Sequence, residues 1–274
     1  MDFVVIGAMR AGTTSLQHAL DCVDEISLPR MKETNYFIPL LSGDKSEDWY
    51  RGLVNQNAAR RGEISPNYSK RGVFPGVAEK LYQASPETRI IYVVRDPVQR
   101  AISHYQHALT MGWDIAPPET VLSAKMGRDI VNASRYAWQL EPWLEQFGRD
   151  RILILDFADL KTSMANTMAI IFEFLDLDAS PPDLSELSSN SAAELAKVPS
   201  WWLSMRNTGL GVALRSRVPN NLAHKAKRLM GRLEKPVELP EITREFRCAL
   251  ARDLKADAKA FRALSDMPFS DWSV

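Results

Sequence analysis

A glycine-bounded loop near the start of the chain carries residue types suited to binding phosphate. Residues 7–15 read Gly-Ala-Met-Arg-Ala-Gly-Thr-Thr-Ser, and their spacing nearly fits the nucleotide-binding pattern G-x4-G-K-[ST]. The departure is at Thr13, which replaces the lysine, while the cation stands inside the loop at Arg10. A loop without the lysine that serves a γ-phosphate indicates a nucleotide whose transferred group carries less charge.

The segments on either side of this loop predict a strand before it and a helix after it. Residues 2–6 form a β-branched, apolar run that is typical of a buried strand. Apolar side chains then recur at helical spacing, at Leu16, Ala19, Leu20 and Val23. The N–H groups of such a loop and first helical turn converge, and the helix dipole favours negative charge there. The sequence therefore predicts an anion cradle; the alternative is a turn that only joins two elements.

A second strand–loop–helix unit lies further along the chain. Residues 89–94 are a nearly continuous β-branched run, typical of a central parallel strand, and Pro97 suits the start of a helix. Arg95 follows the strand and Ser103 lies two turns into the helix, so both can converge on a single phosphate. Two further charged residues are interpreted as structural, in a surface pair or a helix cap: Asp96 and Arg100.

Together the two loops resemble the donor-binding motifs of sulfotransferases that use 3′-phosphoadenosine 5′-phosphosulfate (PAPS). Residues 7–16 resemble the 5′-phosphosulfate loop, with Arg10 where many members have lysine, and residues 95–105 resemble the 3′-phosphate motif. Two such motifs in this order are far more specific than either alone. The resemblance implies PAPS as the donor, bound by Arg10, Ala11, Gly12, Thr13, Thr14, Ser15, Arg95 and Ser103. Secondary nucleotide contacts are implied for Arg135 and Tyr136.

The segment after a short strand predicted at residues 25–28 resembles the catalytic segment of heparan-type members of that family. By this resemblance Glu33 is the general base toward an acceptor hydroxyl, and Lys32 lies close to the transferred sulfuryl group. The alternative is an exposed Lys-Glu pair on a loop. His104 and His107 are a rival base, because histidine is the usual one, and their alternative is a pair of helix histidines without chemistry.

Residues 63–68, with the pattern Glu-x-Ser-Pro-x-Tyr, resemble the substrate-cleft segment of the family, in which lysine often stands at the position of Ile64. The missing cation indicates an acceptor less acidic than heparan sulfate. Ser65 and Tyr68 are predicted acceptor contacts, and turn chemistry around the proline is the alternative. Trp113 is available to stack on a sugar or an aromatic ring.

The composition is that of a globular protein without a global charge bias. The 274 residues are 45% hydrophobic and carry a formal net charge of +0, so nucleic acid is not an expected partner and any anion site is local. Cys22 and Cys248 provide neither a disulfide framework nor a metal-ligand spacing, and no metal is expected. The two cysteines suit a reducing cytoplasm. The sequence has no long apolar run and no room for a signal sequence before the first strand, whereas Golgi members of the resembled family carry a membrane anchor, so the resemblance implies a bacterial relative.

Strands alternate with helices along residues 1–178. This pattern predicts an α/β fold with a P-loop-like, doubly wound parallel sheet flanked by helices. Residues 179–274 are predicted to be a mostly helical C-terminal extension or lid, within a single domain that spans residues 1–274.

A basic segment lies in this C-terminal region. Residues 206–235 contain eight Lys or Arg and one acid, and Trp201 and Trp202 precede them. Such a segment suits a lid over the 3′-phosphate or an anionic acceptor. A peripheral membrane contact through residues 201–235, at the inner face, is a second interpretation, and a solvated helix face is the third.

These observations predict an enzyme that transfers a sulfuryl group from PAPS to a hydroxyl or an amine and releases adenosine 3′,5′-bisphosphate (PAP). The transfer is expected to be in line and independent of metal, so the protein positions the reactants and neutralises the leaving phosphate. The acceptor is a carbohydrate, a glycolipid or another small molecule; the oligomeric state is not predicted.

Two rival functions are considered. A P-loop kinase that uses ATP and magnesium would explain the first motif but would leave Arg95 and Ser103 without a role. A non-catalytic nucleotide-binding module would be unaffected by the loss of Glu33.

Overall fold

A five-stranded sheet forms the centre of the protein. The structure is a computed structural model and describes residues 1–182 and 239–274. Its strands are β1 (Phe3–Gly7), β2 (Ile26–Ser27), β3 (Arg60–Ile64), β4 (Arg89–Val94) and β5 (Ile152–Asp156). They pair in the order β2-β3-β1-β4-β5, and every pairing is parallel.

Helices connect and flank these strands. In the described residues they are α1 (Thr13–Leu20), α2 (Pro39–Ser42), α3 (Glu47–Arg51), α4 (Val77–Ala84), α5 (Pro97–Thr110), α6 (Lys125–Asn132), α7 (Tyr136–Phe147), α8 (Phe157–Thr162), α9 (Met164–Phe174) and α10 (Arg244–Ser265). Short 3-10 turns occupy Val121–Ser123 and Arg149–Arg151. The predicted α/β fold with a P-loop-like parallel sheet is confirmed.

The two central strands explain why the sheet forms from this sequence. All five residues of β1 are buried, and so are the last five of β4, which matches their unbroken apolar composition. Val4 pairs with Ile90 and Val5 with Ile91, so the two strands end at the same edge of the sheet. Since β3 lies on one side of β1 and β4 on the other, the chain changes direction there and leaves a crevice at the carboxyl ends of the strands.

Helix α10 closes the fold against α5 and α7. The Asp257 carboxylate accepts hydrogen bonds from the backbone N–H groups of Ala137 (3.1 Å) and Trp138 (3.0 Å), at the positive end of α7. Phe261 stacks on Trp272 with the ring centroids 5.9 Å apart. A second apolar cluster joins α10 to α5 through Phe246, Leu250, Leu254, Val98, Ile102 and Tyr105. The chain's C-terminal part therefore fixes the position of α5.

Part of the C-terminal prediction can be compared with the structure. Helix α10 lies in the region predicted to be helical. Trp201, Trp202 and the basic segment 206–235 lie outside the described residues, so their role as a lid or a membrane contact stays a prediction. Of the helices in residues 1–182 and 239–274, none is both long enough and apolar enough to cross a bilayer.

Gly62 gives a test of the sheet packing. It pairs with Phe3 across β3 and β1, and a Cβ atom at position 62 would overlap the buried Phe3 ring. We expect Gly62→Ala to lower the free energy of unfolding by about 3 kcal/mol through overpacking, measured by urea denaturation. Gly76→Ala is the control: Gly76 is in the left-handed α region (φ 77°, ψ 12°) and has open space around it, so about 1 kcal/mol is expected. An equal or smaller loss for Gly62→Ala would contradict the packing argument.

Candidate active site

The loop between β1 and α1 adopts the conformation that an anion cradle requires. Gly12 has a φ of 84°, and a Cβ atom there would lie 2.7 Å from the Phe157 ring, so the position requires glycine. Helix α1 begins directly after Gly12, without a side-chain cap. The N–H groups of its first turn therefore face the crevice without an intrahelical acceptor, which is the usual arrangement for binding phosphate.

Three polar residues from the two predicted motifs meet at this crevice. The Arg10 Nε donates a hydrogen bond to the Ser103 Oγ (3.1 Å), and the Arg95 Nη1 donates to the Arg10 carbonyl oxygen (3.2 Å). The Arg95 guanidinium also lies 5.1 Å from the centre of the Phe157 ring. The loops after β1 and β4 thus form one continuous polar surface with two guanidinium groups.

Tyr136 supports this polar surface from inside the protein. It is fully buried; its hydroxyl donates to the Arg95 carbonyl oxygen (2.8 Å) and accepts from the Arg95 N–H (3.3 Å). The Tyr136 hydroxyl therefore holds the backbone of Arg95, and its direct contact with a nucleotide stays a prediction. Arg135 forms an ion pair with Asp253 of α10 (2.5 Å), and its nucleotide contact stays a prediction.

The predictions for Asp96 and Arg100 have different outcomes in the structure. The Asp96 carboxylate accepts a hydrogen bond from the Gln99 N–H (2.7 Å) and caps α5, as predicted. Arg100 is completely buried, so its interpretation as half of a surface pair is wrong. Its guanidinium donates to the Met9 carbonyl oxygen (3.3 Å), to the Ser134 hydroxyl and to the carbonyl oxygen of residue 130. Arg100 thereby ties the first loop and α6 to α5.

The two histidines lie on the face of α5 that carries Arg100 and Ser103. Burial and the adjacent Arg100 lower the pKa of His104, and burial and Arg10 lower the pKa of His107 to about 4. Both imidazoles are therefore neutral near pH 7. Their protonated forms are disfavoured by the surrounding cations, which weakens the case for either histidine as the general base.

Glu33 and Lys32 lie on the segment that follows β2. Glu33 is half-buried and Lys32 is exposed. The Lys32 charge acts on His107, and the Glu33 charge acts on Lys70. The segment after β2 therefore faces the same side of α5 as Arg10 does.

A buried carboxylate anchors this segment to the sheet. Glu63 of β3 is fully buried and accepts hydrogen bonds from the hydroxyls of Tyr50 (2.7 Å), Ser65 (3.3 Å) and Thr34. The Tyr68 hydroxyl lies 3.4 Å from the Thr34 Oγ1. Ser65 and Tyr68 are 0% and 1% exposed, so the predicted direct contact with an acceptor does not fit their burial. They hold the segment that carries Glu33.

Trp113 and Lys70 are two further residues of interest around the crevice. The Trp113 side chain is 43% exposed just beyond α5, and its role in stacking stays a prediction. Lys70 donates from its Nζ to the Asn67 Oδ1 (2.7 Å). Lys70 has no signal in the sequence, because a lysine in a polar turn is usually solvated and belongs to no motif.

The fold and the joined loops define an α/β protein with a P-loop-like site at the carboxyl ends of its strands. The profile of the sulfotransferase domain matches residues 1–198, which is more than half of the chain. The chain belongs to the sulfotransferase domain family.

Relatives and a solved structure agree with this assignment. Heparan sulfate glucosamine 3-O-sulfotransferase 3B1 of Mus musculus is 27% identical over 189 residues, which is 64% of this chain and 45% of the relative. Bifunctional heparan sulfate N-deacetylase/N-sulfotransferase 1 of Caenorhabditis elegans is 25% identical over 194 residues, 66% of this chain and 22% of the relative. The chain thus spans less than half the length of these two relatives. A sulfotransferase from Alicyclobacillus acidocaldarius shares the fold, with a TM-score of 0.72 and 20% identity over 100% of this chain and 98% of that one.

The buried Glu63 predicts a pH-dependent stability. Burial raises the pKa of this carboxyl, and the hydroxyl bonds offset only part of that rise. The protonated form is therefore favoured by folding, and its contribution is lost as the pH rises from the ordinary carboxyl pKa through the raised one. We expect the stability of wild type relative to Glu63→Gln to fall as the pH rises from 4 to 8, measured by urea denaturation.

Glu145→Gln, at an exposed position on α7, is the control for this comparison. Its difference from wild type should stay within about 0.5 kcal/mol across the same range. A constant difference between wild type and Glu63→Gln would contradict the raised pKa.

Proposed function

We propose that this chain transfers a sulfuryl group from PAPS to a hydroxyl or an amine and releases PAP. The observation that carries the proposal is the meeting of Arg10, Arg95 and Ser103 at the carboxyl ends of β1 and β4. A donor with phosphates at both ends of one ribose needs two anion sites on neighbouring loops, and these residues supply the donors for both. The sulfotransferase family of the chain supports the same donor.

The residues fit the two phosphate groups in different ways. Arg10 and the N–H groups at the start of α1 suit the 5′-phosphate, which gains charge as it leaves. Arg95 and Ser103 suit the 3′-phosphate, which distinguishes PAPS from ATP. The hydrogen bonds between Tyr136 and the Arg95 backbone orient that arginine before a donor binds.

Glu33 is proposed to accept the proton of the acceptor. PAPS supplies the electrophilic sulfur and PAP as the leaving group, so the protein's remaining task is to hold the acceptor and remove its proton. Glu33 directly precedes Thr34, which is bound to the buried Glu63, and this anchoring limits the movement of the base.

The acceptor is proposed to be a carbohydrate or a small molecule with a hydroxyl or an amine. Support comes from the names of the two relatives, which describe O-sulfation and N-sulfation of heparan sulfate. A cytoplasmic location is proposed because Cys22 and Cys248 are both free and exposed, which suits a reducing compartment.

Donor binding tests the proposal directly. We expect calorimetry to show that wild type binds PAP more tightly than AMP or ATP with magnesium. Arg95→Ala should weaken PAP binding about 10-fold to 100-fold, which corresponds to the loss of one charge-assisted hydrogen bond. The affinity for AMP, which lacks the 3′-phosphate, should stay nearly unchanged.

Arg51→Ala, which removes an exposed arginine paired with Glu47 on α3, is the matched control. If wild type binds ATP with magnesium as tightly as PAP or more tightly, the sulfotransferase proposal is contradicted and a kinase is favoured.

The base is tested by Glu33→Gln. We expect transfer from PAPS to an N-desulfated heparin oligosaccharide or to p-nitrophenol, whichever wild type uses faster, to fall about 10²-fold to 10⁴-fold. PAP binding should remain at the wild-type level, because Glu33 lies on the acceptor side. Unchanged transfer in the variant would remove Glu33 from the mechanism and would suit a protein that only binds nucleotide.

A further inference from the structure

Lys70 has a fixed place beside the segment that carries the proposed base. It lies on the loop after β3 and is only partly exposed. Its Nζ donates to the Asn67 Oδ1 (2.7 Å), and the Asn67 Nδ2 donates to the Asn35 Oδ1 (3.1 Å). Asn35 is two residues beyond Glu33. A chain of two hydrogen bonds therefore ties the lysine amine to the segment of Glu33.

Lys70 is largely buried and lies near charged residues of three segments. Burial and Arg100 of α5 lower the pKa of Lys70 to about 8, while Glu33 and Asp129 of α6 act in the opposite direction. His104 and His107 of α5 also face it, and both are neutral near pH 7. The hydrogen-bond partner of the amine is a neutral amide, and a lysine ammonium has three N–H donors. Such a group is suited to bind an anion.

The charges of Lys70 and Arg10 both act on residues of one face of α5. Arg100, Ser103, His104 and His107 lie on that face at helical spacing. Arg10 bonds to Ser103, and the charges of Arg10 and Lys70 both depress the pKa of the two histidines. The crevice thus has Arg10 on the donor side, whereas Lys70 lies with Glu33 on the acceptor side.

We propose that the Lys70 ammonium binds a non-bridging oxygen of the sulfuryl group, between the donor phosphate and Glu33. This proposal rests on the proposed function. In the reaction the bond from sulfur to the donor phosphate oxygen breaks, a bond from sulfur to the acceptor forms, and the acceptor proton moves to Glu33. Lys70 remains protonated throughout and stabilises charge on the sulfuryl oxygens. The sequence resemblance gave this position to Lys32, which is exposed.

The comparison of PAPS with PAP isolates this contact, because the two ligands differ only in the sulfuryl group. We expect Lys70→Met to weaken PAPS binding about tenfold and to leave PAP binding unchanged, measured by calorimetry at pH 7 without an acceptor. Lys70→Arg should retain most of the preference for PAPS, since it keeps the charge. Lys80→Met, at an exposed position on α4, is the matched control and should bind both ligands like wild type.

The same comparison has a pH dependence. In wild type the preference for PAPS over PAP should decline as the pH rises through about 8, because Lys70 loses its proton there. Lys70→Met should show no decline between pH 7 and pH 9, and neither should Lys70→Arg, since a guanidinium does not titrate in this range.

Each outcome decides one question. If wild type binds neither PAP nor PAPS, the proposed function fails. If wild type binds both and Lys70→Met keeps the preference for PAPS, or loses affinity for PAP equally, the assignment of Lys70 is overturned while the function stands. Loss of the preference in Lys32→Met alone would also overturn it.

Discussion

The site depends on the parallel pairing of β1 with β4. The two strands are buried almost throughout and adjacent in the sheet, so their carboxyl ends deliver two loops to the same place. One loop carries Arg10 and opens α1; the other carries Arg95 and opens α5. Neither loop alone offers more than an ordinary phosphate cradle. Their adjacency, which the sheet imposes, creates a surface able to recognise a nucleotide with phosphates on both sides of its ribose.

The remaining elements hold this surface in position by buried polar contacts. Arg100 connects α5 to the first loop and to α6, and Tyr136 fixes the backbone of Arg95. Glu63 does the same for the segment that carries Glu33, by accepting hydrogen bonds from the hydroxyls of Thr34, Tyr50 and Ser65. Buried ionisable groups are costly unless they are hydrogen-bonded. Their presence around the crevice indicates that the fold gives up stability there to orient the loops.

Sequence reasoning succeeded where local pattern decides structure. The central strands, the glycine-bounded loop and α5 have unambiguous periodicity, and the cap at Asp96 follows from residue type. Tertiary burial, which a local pattern does not show, changes the surroundings of several polar side chains. Tyr136, Ser65 and Tyr68 have hydroxyls suited to a ligand, but the fold directs them to backbone and carboxylate partners inside the protein. Lys70 was missed for the converse reason, because only the fold buries its amine.

Phe157 joins the two halves of the donor surface in a way that neither motif records. Its ring lies against Gly12 of the first loop and beneath the Arg95 guanidinium of the second. Position 157, at the start of α8 and after a different strand, is therefore a point of epistasis between the loops. A change at position 157 would therefore alter the packing of both loops at once, whereas position 12 is restricted to glycine by its positive φ.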